Sequence, residues 1–127
     1  MTQTATGTFE VTLSPADDDR GIGRMLIAKT WSGDLEGSGH GQMLSAGDPT
    51  SGSAAYVAVE VVAGTLHGRA GSFAFAQHGV MRPSGQELTY SVVPGSGTDE
   101  LAGIEGTLAL TVDDCGHAYV LTYALPA

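Results

Sequence analysis

Apolar and polar residues alternate along most of this chain with a period of two, as they do on a β-strand that has one buried face. In the first run, residues 4–13, apolar side chains occupy every second position from Phe9 onward, with threonine and glutamate between them. Short segments rich in glycine, aspartate and proline separate this run from seven others, as turns separate strands. We predict these further strands at residues 24–32, 35–45, 54–66, 69–79, 87–93, 106–112 and 117–125.

Short extended runs without a helical pattern indicate an all-β domain. The 127 residues match the usual size of one domain, and no linker or internal repeat divides residues 1–127. Most connections are short enough for sequential hairpins, and the longer one at residues 94–106 has room for one helical turn. We therefore predict a single closed antiparallel up-and-down β-barrel of about eight strands, because closure removes exposed sheet edges.

The turn between the fourth and fifth strands predicts one strand register. His67-Gly68 is typical of a two-residue hairpin turn, in which glycine supplies a positive φ, and it places Val62 opposite Phe73 and Glu60 opposite Phe75. The side chains on this face are apolar except for one carboxylate and one amide, so we assign the face to the barrel interior. Its members are Tyr56, Ala58, Glu60, Val62, Phe73, Phe75 and Gln77.

A second register follows if Gly33-Asp34 is also a two-residue turn. Lys29 and Trp31 then lie on a polar face that we expect outside the barrel. The opposite face carries three glycines in alternate positions, which leave space inside for a large neighbouring side chain or for a ligand. These glycines are Gly37, Gly39 and Gly41.

Charge narrows the range of partners. Lysine and arginine total 5 against 14 acidic residues, a formal net charge of -9. We therefore expect neither nucleic-acid binding, which needs clustered cations, nor docking on anionic membranes. Cys115, the single cysteine, fits a reducing compartment. Because no secretory signal or membrane-spanning run is visible either, we expect a cytoplasmic protein of bacterial type.

Glu60 is the strongest candidate for a functional residue, because it interrupts an apolar run on the face assigned to the interior. A buried carboxylate either finds hydrogen-bond partners or becomes protonated, and in the second case it can act as a general acid or base. We expect the second case, since lysine and arginine are scarce and none is placed nearby on the same face. The alternative is a structural carboxylate bonded to Gln77, a tyrosine hydroxyl or Arg69.

Tyrosine hydroxyls complete a candidate ligand pocket around Glu60, although barrel tyrosines also serve as core residues with a hydroxyl at the rim. In the last hairpin, one face is predicted to carry Leu108, Leu110, Val112, Tyr119, Leu121 and Tyr123. The predicted pocket residues are Tyr56, Glu60, Phe73, Phe75, Gln77, Tyr90, Tyr119 and Tyr123.

No metal site or cofactor is expected. Cys115 and His117 lie beside Asp113 and Asp114, which resembles a set of metal ligands, but a polar hairpin turn explains the group equally well. The glycine-rich segment GSGTDELAGIEG contains no basic residue and fits neither a P-loop nor a dinucleotide-binding motif.

Four stretches of the chain carry a resemblance to a known family. They are TGTFEV, KTWSGDLEGSG, YVAVEVVAGTLHGRAGSF and VVPGSGTDELAGIEG, and the last two have glycine, glutamate and arginine spacings that are not generic strand patterns. With these stretches the chain resembles the bacterial proteins of unknown function grouped as DUF3224. The resemblance implies a closed β-barrel similar to that of allene oxide cyclase, and it implies no reaction.

Three functions remain open at this point. The first is a barrel that binds a small apolar molecule in its interior, and the second is a cofactor-independent isomerase or cyclase that uses Glu60 as acid and base. The third is a filled barrel that acts through oligomerisation or partner binding. Trp31 and the outward residues Val57, Val59 and Val61 also predict a homodimer.

Overall fold

The chain forms one closed antiparallel up-and-down barrel, seen in a computed structural model that describes residues 2–17, 20–113 and 116–126. Each strand pairs with the next along the chain, and the last strand pairs with the first. The predicted fold class is therefore confirmed. The strands are β1 (Thr2–Pro15), β2 (Gly23–Gly33), β3 (Leu35–Asp48), β4 (Ser53–Leu66), β5 (Arg69–Arg82), β6 (Gly85–Val92), β7 (Glu105–Asp113) and β8 (Gly116–Ala124).

Two single turns of 3-10 helix accompany the strands. One, Pro49–Ser51, joins β3 to β4, and the other, Asp99–Leu101, lies in the long connection between β6 and β7, where one helical turn was predicted. In the part of the chain that the structure describes, there is no helix long and apolar enough to cross a membrane.

The predicted register of the β4–β5 hairpin is confirmed. Val62 lies opposite Phe73 and Glu60 lies opposite Phe75, with His67 and Gly68 as the two turn residues. Both turn residues have positive φ, 48° and 79°, as the tightest right-twisted hairpins require.

The predicted register of the β2–β3 hairpin is wrong by one residue. Trp31 lies opposite Gly37 and Lys29 opposite Gly39, which moves both large side chains from the outer face to the interior. A slip of one position exchanges the faces of a whole strand, because side chains alternate with a period of two. The glycine face does point inward, as expected.

The interior Gly39 makes room for large side chains. A Cβ added at Gly39 would lie 2.3 Å from Oε2 of Glu60 and 3.1 Å from Nε1 of Trp31. The space expected beside the glycines is therefore filled by Trp31 and its neighbours within the barrel.

One end of the barrel, here called the closed end, is sealed by the β6–β7 connection. Thr98 donates its backbone N–H to the carbonyl oxygen of Ser72 at 2.9 Å, which continues the sheet along β5 beyond the end of β6. Leu101 and Ile104 then join the buried core cluster. The closed end is defined by the buried residues Leu35, Leu66, Leu101, Ile104 and Tyr123.

Candidate functional site

A buried ion pair occupies the middle of the barrel. Nζ of Lys29, on β2, lies 2.8 Å from Oε1 of Glu60, on β4, and their side chains are 5% and 1% exposed. Lys29 also donates to the hydroxyl of Tyr90 at 2.8 Å, and Tyr90 donates to Oε1 of Glu60 at 3.1 Å. Trp31 donates its indole N–H to Oε2 of the same carboxylate at 3.2 Å. Each oxygen of Glu60 therefore has a donor.

Aromatic rings surround the ammonium group of this pair. Nζ of Lys29 lies 4.5 Å from the ring centre of Phe9 and 5.3 Å from those of Trp31 and Tyr90, within the range of cation–π attraction. Burial, and then the charge of Glu60, raise the pKa of the Tyr90 hydroxyl well above its usual range, so that it stays protonated. We call Phe9, Lys29, Trp31, Glu60 and Tyr90 the central cluster.

The expectation that Glu60 lacks a cationic neighbour is wrong. It depended on the misplaced register of β2, which put Lys29 outside the barrel. Of the structural partners named for Glu60, a tyrosine hydroxyl is confirmed, because Tyr90 donates to Oε1 at 3.1 Å. Gln77 is not a partner, because its Oε1 accepts a hydrogen bond from the hydroxyl of Tyr56 at 2.8 Å. The structure therefore joins Glu60 to an ammonium group and not to an amide.

The four tyrosines of the predicted pocket lie at different levels of the barrel. Tyr90 belongs to the central cluster, and Tyr56 lies with Gln77 on the other side of that cluster from the closed end. Tyr119 accepts the backbone N–H of Leu35 at 3.0 Å, and Tyr123 contacts His67, so both serve the closed end. Burial raises the pKa of the Tyr56, Tyr119 and Tyr123 hydroxyls.

Phe73 and Phe75 lie inside the barrel, and both are 1% exposed. The two rings pack edge to face with their centroids 5.0 Å apart, and Phe75 packs against Tyr90 in the same way with a centroid distance of 5.1 Å. These contacts fill the middle of the barrel with side chains.

The other end of the barrel, here called the open end, leaves inward-facing apolar side chains uncovered. Leu13 follows the buried Phe9 on the inner face of β1, Leu88 precedes Tyr90 on β6, and Val112 follows Leu108 on β7. These three residues are 44%, 43% and 64% exposed, respectively. The open end, defined by Leu13, Leu88 and Val112, therefore forms an apolar rim above the central cluster.

A gap between β6 and β7 extends this rim down one wall of the barrel. Within the described residues, these strands pair only at Ser91 and Thr107, whereas every other pair of neighbouring strands is matched over eight or more positions. Residues 85–90 and 108–113 therefore face each other without a ladder. Tyr90 stands next to Ser91, at the point where the gap begins.

A shallow groove of about 280 Å³ lies on the outer surface. It is lined mainly by outward side chains of β3, β4 and β5, so it is distinct from the open end. Its lining residues are Ile22, Leu44, Ser45, Ala46, Ala55, Tyr56, Val57 and His78.

Comparisons with known proteins agree with this architecture. The family model described as "Protein of unknown function (DUF3224)" matches residues 5–123. The chain belongs to the DUF3224 family. A solved DUF3224 protein of unknown function from Shewanella oneidensis MR-1 is 39% identical, with a TM-score of 0.93 and complete coverage of both chains. A search of curated proteins found no match.

For this DUF3224 protein, Lys29 is the functional candidate that sequence reasoning missed. It is the single lysine of the chain, and lysine is almost never fully buried unless it is paired. The signal that could have found it is the three bare glycine positions, which need large partners across the hairpin. Lys29 and Trp31 are the large residues of β2 that the correct register places there.

No group of three or more potential metal-ligating side chains is close enough to hold a metal ion among the described residues. Asp114 and Cys115, from the predicted polar turn, lie outside the described residues. The chemistry available in the barrel of this DUF3224 protein is that of an amine, a carboxylate and a phenol, held together beneath an apolar rim.

Proposed function

We propose that this protein binds a small apolar molecule at the open end of its barrel. The observation that carries the proposal is the exposure of three inward-facing residues, Leu13, Leu88 and Val112, which all lie at one end of the barrel. Fully burying a side chain of this type contributes about 1.5–3 kcal/mol, so a ligand that covers the rim gains affinity from it. The mouths of β-barrels are common ligand sites for this reason.

The location differs from the ligand site expected at first, which was the barrel interior. Phe73, Phe75 and Glu60 are each 1% exposed, so a ligand that replaced them would have to displace packed side chains. The proposed molecule rests on the central cluster and does not replace it. The gap between β6 and β7 offers a lateral path for a chain-like ligand.

A nuclear magnetic resonance titration with decan-1-ol tests the proposal. We expect saturable shifts in the amides of β6 and β7 near the gap and in those of β1 near Leu13. The variant Val112→Asp should weaken binding by about tenfold or more, because it removes apolar contact and places a charge on the rim.

Val120→Asp is the matched control. Val120 is also an exposed valine, but it lies on the outer face of β8, opposite Thr6 and away from the open end, so the variant should bind decan-1-ol as the parent does. Shifts confined to the outer groove at Leu44 and His78, or an equal loss of affinity in both variants, would contradict the proposal.

The isomerase alternative keeps Glu60 as the acid and base. The direct contact of its carboxylate with Lys29 and Tyr90 supports a proton relay more than a free general base. Turnover of an apolar substrate that is lost in Glu60→Gln, with binding retained, would favour this alternative.

A second candidate is self-association through the outer face of β4. Val57, Val59 and Val61 are about half exposed there, and Trp31, the other residue cited for a dimer, is buried. The neighbouring outward residues of β3 and β5 carry no carboxylate, although the chain has a net charge of -9. A second copy can therefore approach this face with little repulsion, which favours a homodimer over a charged partner.

Light scattering at micromolar concentration tests the homodimer. We expect a dimer mass for the parent and a monomer mass for Val59→Glu, because the new charge would face its own copy across the two-fold axis. Leu88→Glu, on the open end, should remain dimeric. A parent that scatters as a monomer would rule out the homodimer.

A further inference from the structure

Lys29 is the single lysine of the chain, and it is buried in the barrel. We propose that its amine forms an imine with the carbonyl group of an apolar aldehyde or ketone that enters from the open end. This inference rests on the proposed function, since it assigns a ligand class to the same site. Desolvated lysines with a nearby proton acceptor are the usual partners of carbonyl compounds in covalent binding.

The neighbours of Lys29 supply the groups that imine formation needs. Oε1 of Glu60, at 2.8 Å from Nζ, is placed to take a proton from the ammonium group. The Tyr90 hydroxyl, also at 2.8 Å from Nζ, is placed to relay a proton between nitrogen and oxygen. Phe9 and Trp31 provide apolar walls.

The covalent step balances without an oxidant or reductant. Glu60 removes a proton from the ammonium group, and the nitrogen lone pair attacks the carbonyl carbon. Through Tyr90, a proton passes from nitrogen to the former carbonyl oxygen, which gives a neutral carbinolamine. Glu60 then returns its proton to the hydroxyl group, which leaves as water while the nitrogen lone pair forms the C=N bond. The products are a protonated imine, a carboxylate and water, so the ion pair is preserved.

Access to Lys29 follows from the shape of the open end. Val11, which faces Lys29 across the β1–β2 ladder, is only partly buried, and Leu13 beyond it is exposed. Tyr90 borders the gap between β6 and β7, where the wall lacks a ladder. The side chain of Lys29 keeps 5% of its surface exposed, whereas that of Glu60 keeps 1%.

Reductive trapping with decanal tests the inference. The protein is incubated with decanal and sodium cyanoborohydride, and intact mass and peptide mapping locate the adduct. Because Lys29 is the single lysine, the α-amino group is the other reactive amine, and mapping separates the two sites. We expect one reduced adduct on Lys29, formed at least tenfold faster than the adduct on the α-amino group.

Lys29→Arg is the matched variant, since it keeps a cation for Glu60 and removes the nucleophilic amine. Its adduct should be confined to the α-amino group. Glu60→Gln and Tyr90→Phe should each slow trapping at Lys29 by about tenfold or more, as loss of a proton-transfer group does. A purely structural role for Lys29 would not predict this loss of rate in variants that remain folded by circular dichroism.

Decan-1-ol distinguishes a failure of the imine from a failure of binding at the open end, because it has the same alkyl chain as decanal and no carbonyl group. Saturable binding of decan-1-ol at the open end, without a decanal adduct on Lys29 in the folded parent, overturns the imine and leaves the proposed function standing. If decan-1-ol does not bind and Lys29 is not modified, both proposals fail. An adduct confined to the α-amino group also overturns the imine.

Discussion

Both ends of the barrel carry inward leucine side chains and, within residues 2–17, 20–113 and 116–126, one end is covered whereas the other is not. At the closed end, Leu101 and Ile104 descend from the β6–β7 connection and are 1% exposed. At the open end, leucine and valine on the same inner faces of the strands remain in contact with water. The difference arises mainly from the connections, because β1, β6 and β7 carry inward leucine or valine at the open end as other strands do at the closed end. A barrel can thus stabilise itself with one plugged end and keep the other for binding.

Polar contacts follow the same division. Tyr119 bonds the backbone of Ser32 and Leu35, and His67 links Tyr123 to Asp34, so the turns of the closed end are tied to β8. Between the two ends, the central cluster forms a polar floor. We therefore expect substitutions at the floor and the closed end to cost stability, and those at the open end to cost binding.

Disrupting the ion pair of the central cluster should cause the largest loss of stability among the changes considered. Lys29→Met leaves the carboxylate of Glu60 buried without its cation, and loss of one partner of a buried ion pair typically costs about 3–5 kcal/mol. Urea unfolding measures this loss. The double variant Lys29→Met with Glu60→Leu should recover most of it, because no buried charge remains. A Lys29→Met protein as stable as the parent would show that the ion pair contributes little to stability. It would also show that water reaches Glu60 more readily than its low exposure indicates.

A pair of leucine truncations tests the contrast between the two ends directly. Leu101→Ala should reduce the free energy of unfolding by about 2–4 kcal/mol, because it removes buried methyl groups and leaves a cavity. Leu88→Ala should cost less than about 1 kcal/mol, since its side chain is already 43% exposed. Denaturant midpoints of the two variants give the comparison. Equal losses would indicate that the open end is packed in solution as tightly as the closed end.

Hydrogen exchange should map the gap that separates β6 from β7. Amides of β4 and β5, which are paired along their whole length, should be protected to near the global free energy of unfolding. Amides of β6 and β7 that point into the gap should exchange faster, because they have no ladder partner there. Uniform protection across all eight strands would contradict the gap, and protection that appears only with decan-1-ol would place the ligand within it.

The fold could be predicted from the sequence because the alternation of apolar residues repeats in every strand. One misjudged residue does not change such a pattern, and the His67-Gly68 turn was assigned correctly from its glycine. The site was less predictable because it depends on one turn. Gly33 and Asp34 allow two registers that differ by one position, and the choice between them decides whether Lys29 lies in water or against Glu60. The local sequence does not decide between the two registers. The decision depends on which side chains of β2 fill the space beside three glycines on β3.

The exposure of Val112 and the burial of Leu101 were unpredictable for a related reason. Both are apolar residues near strand ends, and their surroundings depend on how a long connection crosses the barrel. Residues 94–106 were predicted only as a connection with one helical turn. That this connection seals one end follows from its hydrogen bonds to Ser72 and Ala74, which are contacts between distant parts of the chain.

The smallest effect we predict concerns two aspartates, one near each end. The backbone N–H of Thr6, at 2.9 Å from Oδ2, lowers the pKa of Asp34 below 3.8, and His67 adds to the effect. The hydroxyl and N–H of Thr50 likewise lower the pKa of Asp48. A carboxyl whose folded pKa is depressed stabilises the protein above its unfolded pKa, and this stability is lost as pH falls through the folded pKa.

The two aspartates should differ in how much of this stability they carry. Asp48 bonds a residue two positions away, and such a turn can persist in the unfolded chain, so its pKa changes less on folding. Asp34 bonds β1 across 28 residues and can do so only in the folded barrel. Asp34→Asn should therefore flatten the decline in stability between about pH 4 and pH 2 more than Asp48→Asn does. Chemical denaturation at stepped pH values measures both slopes. An equal flattening would mean that the contact from Thr6 to Asp34 is no more dependent on the folded barrel than a local turn.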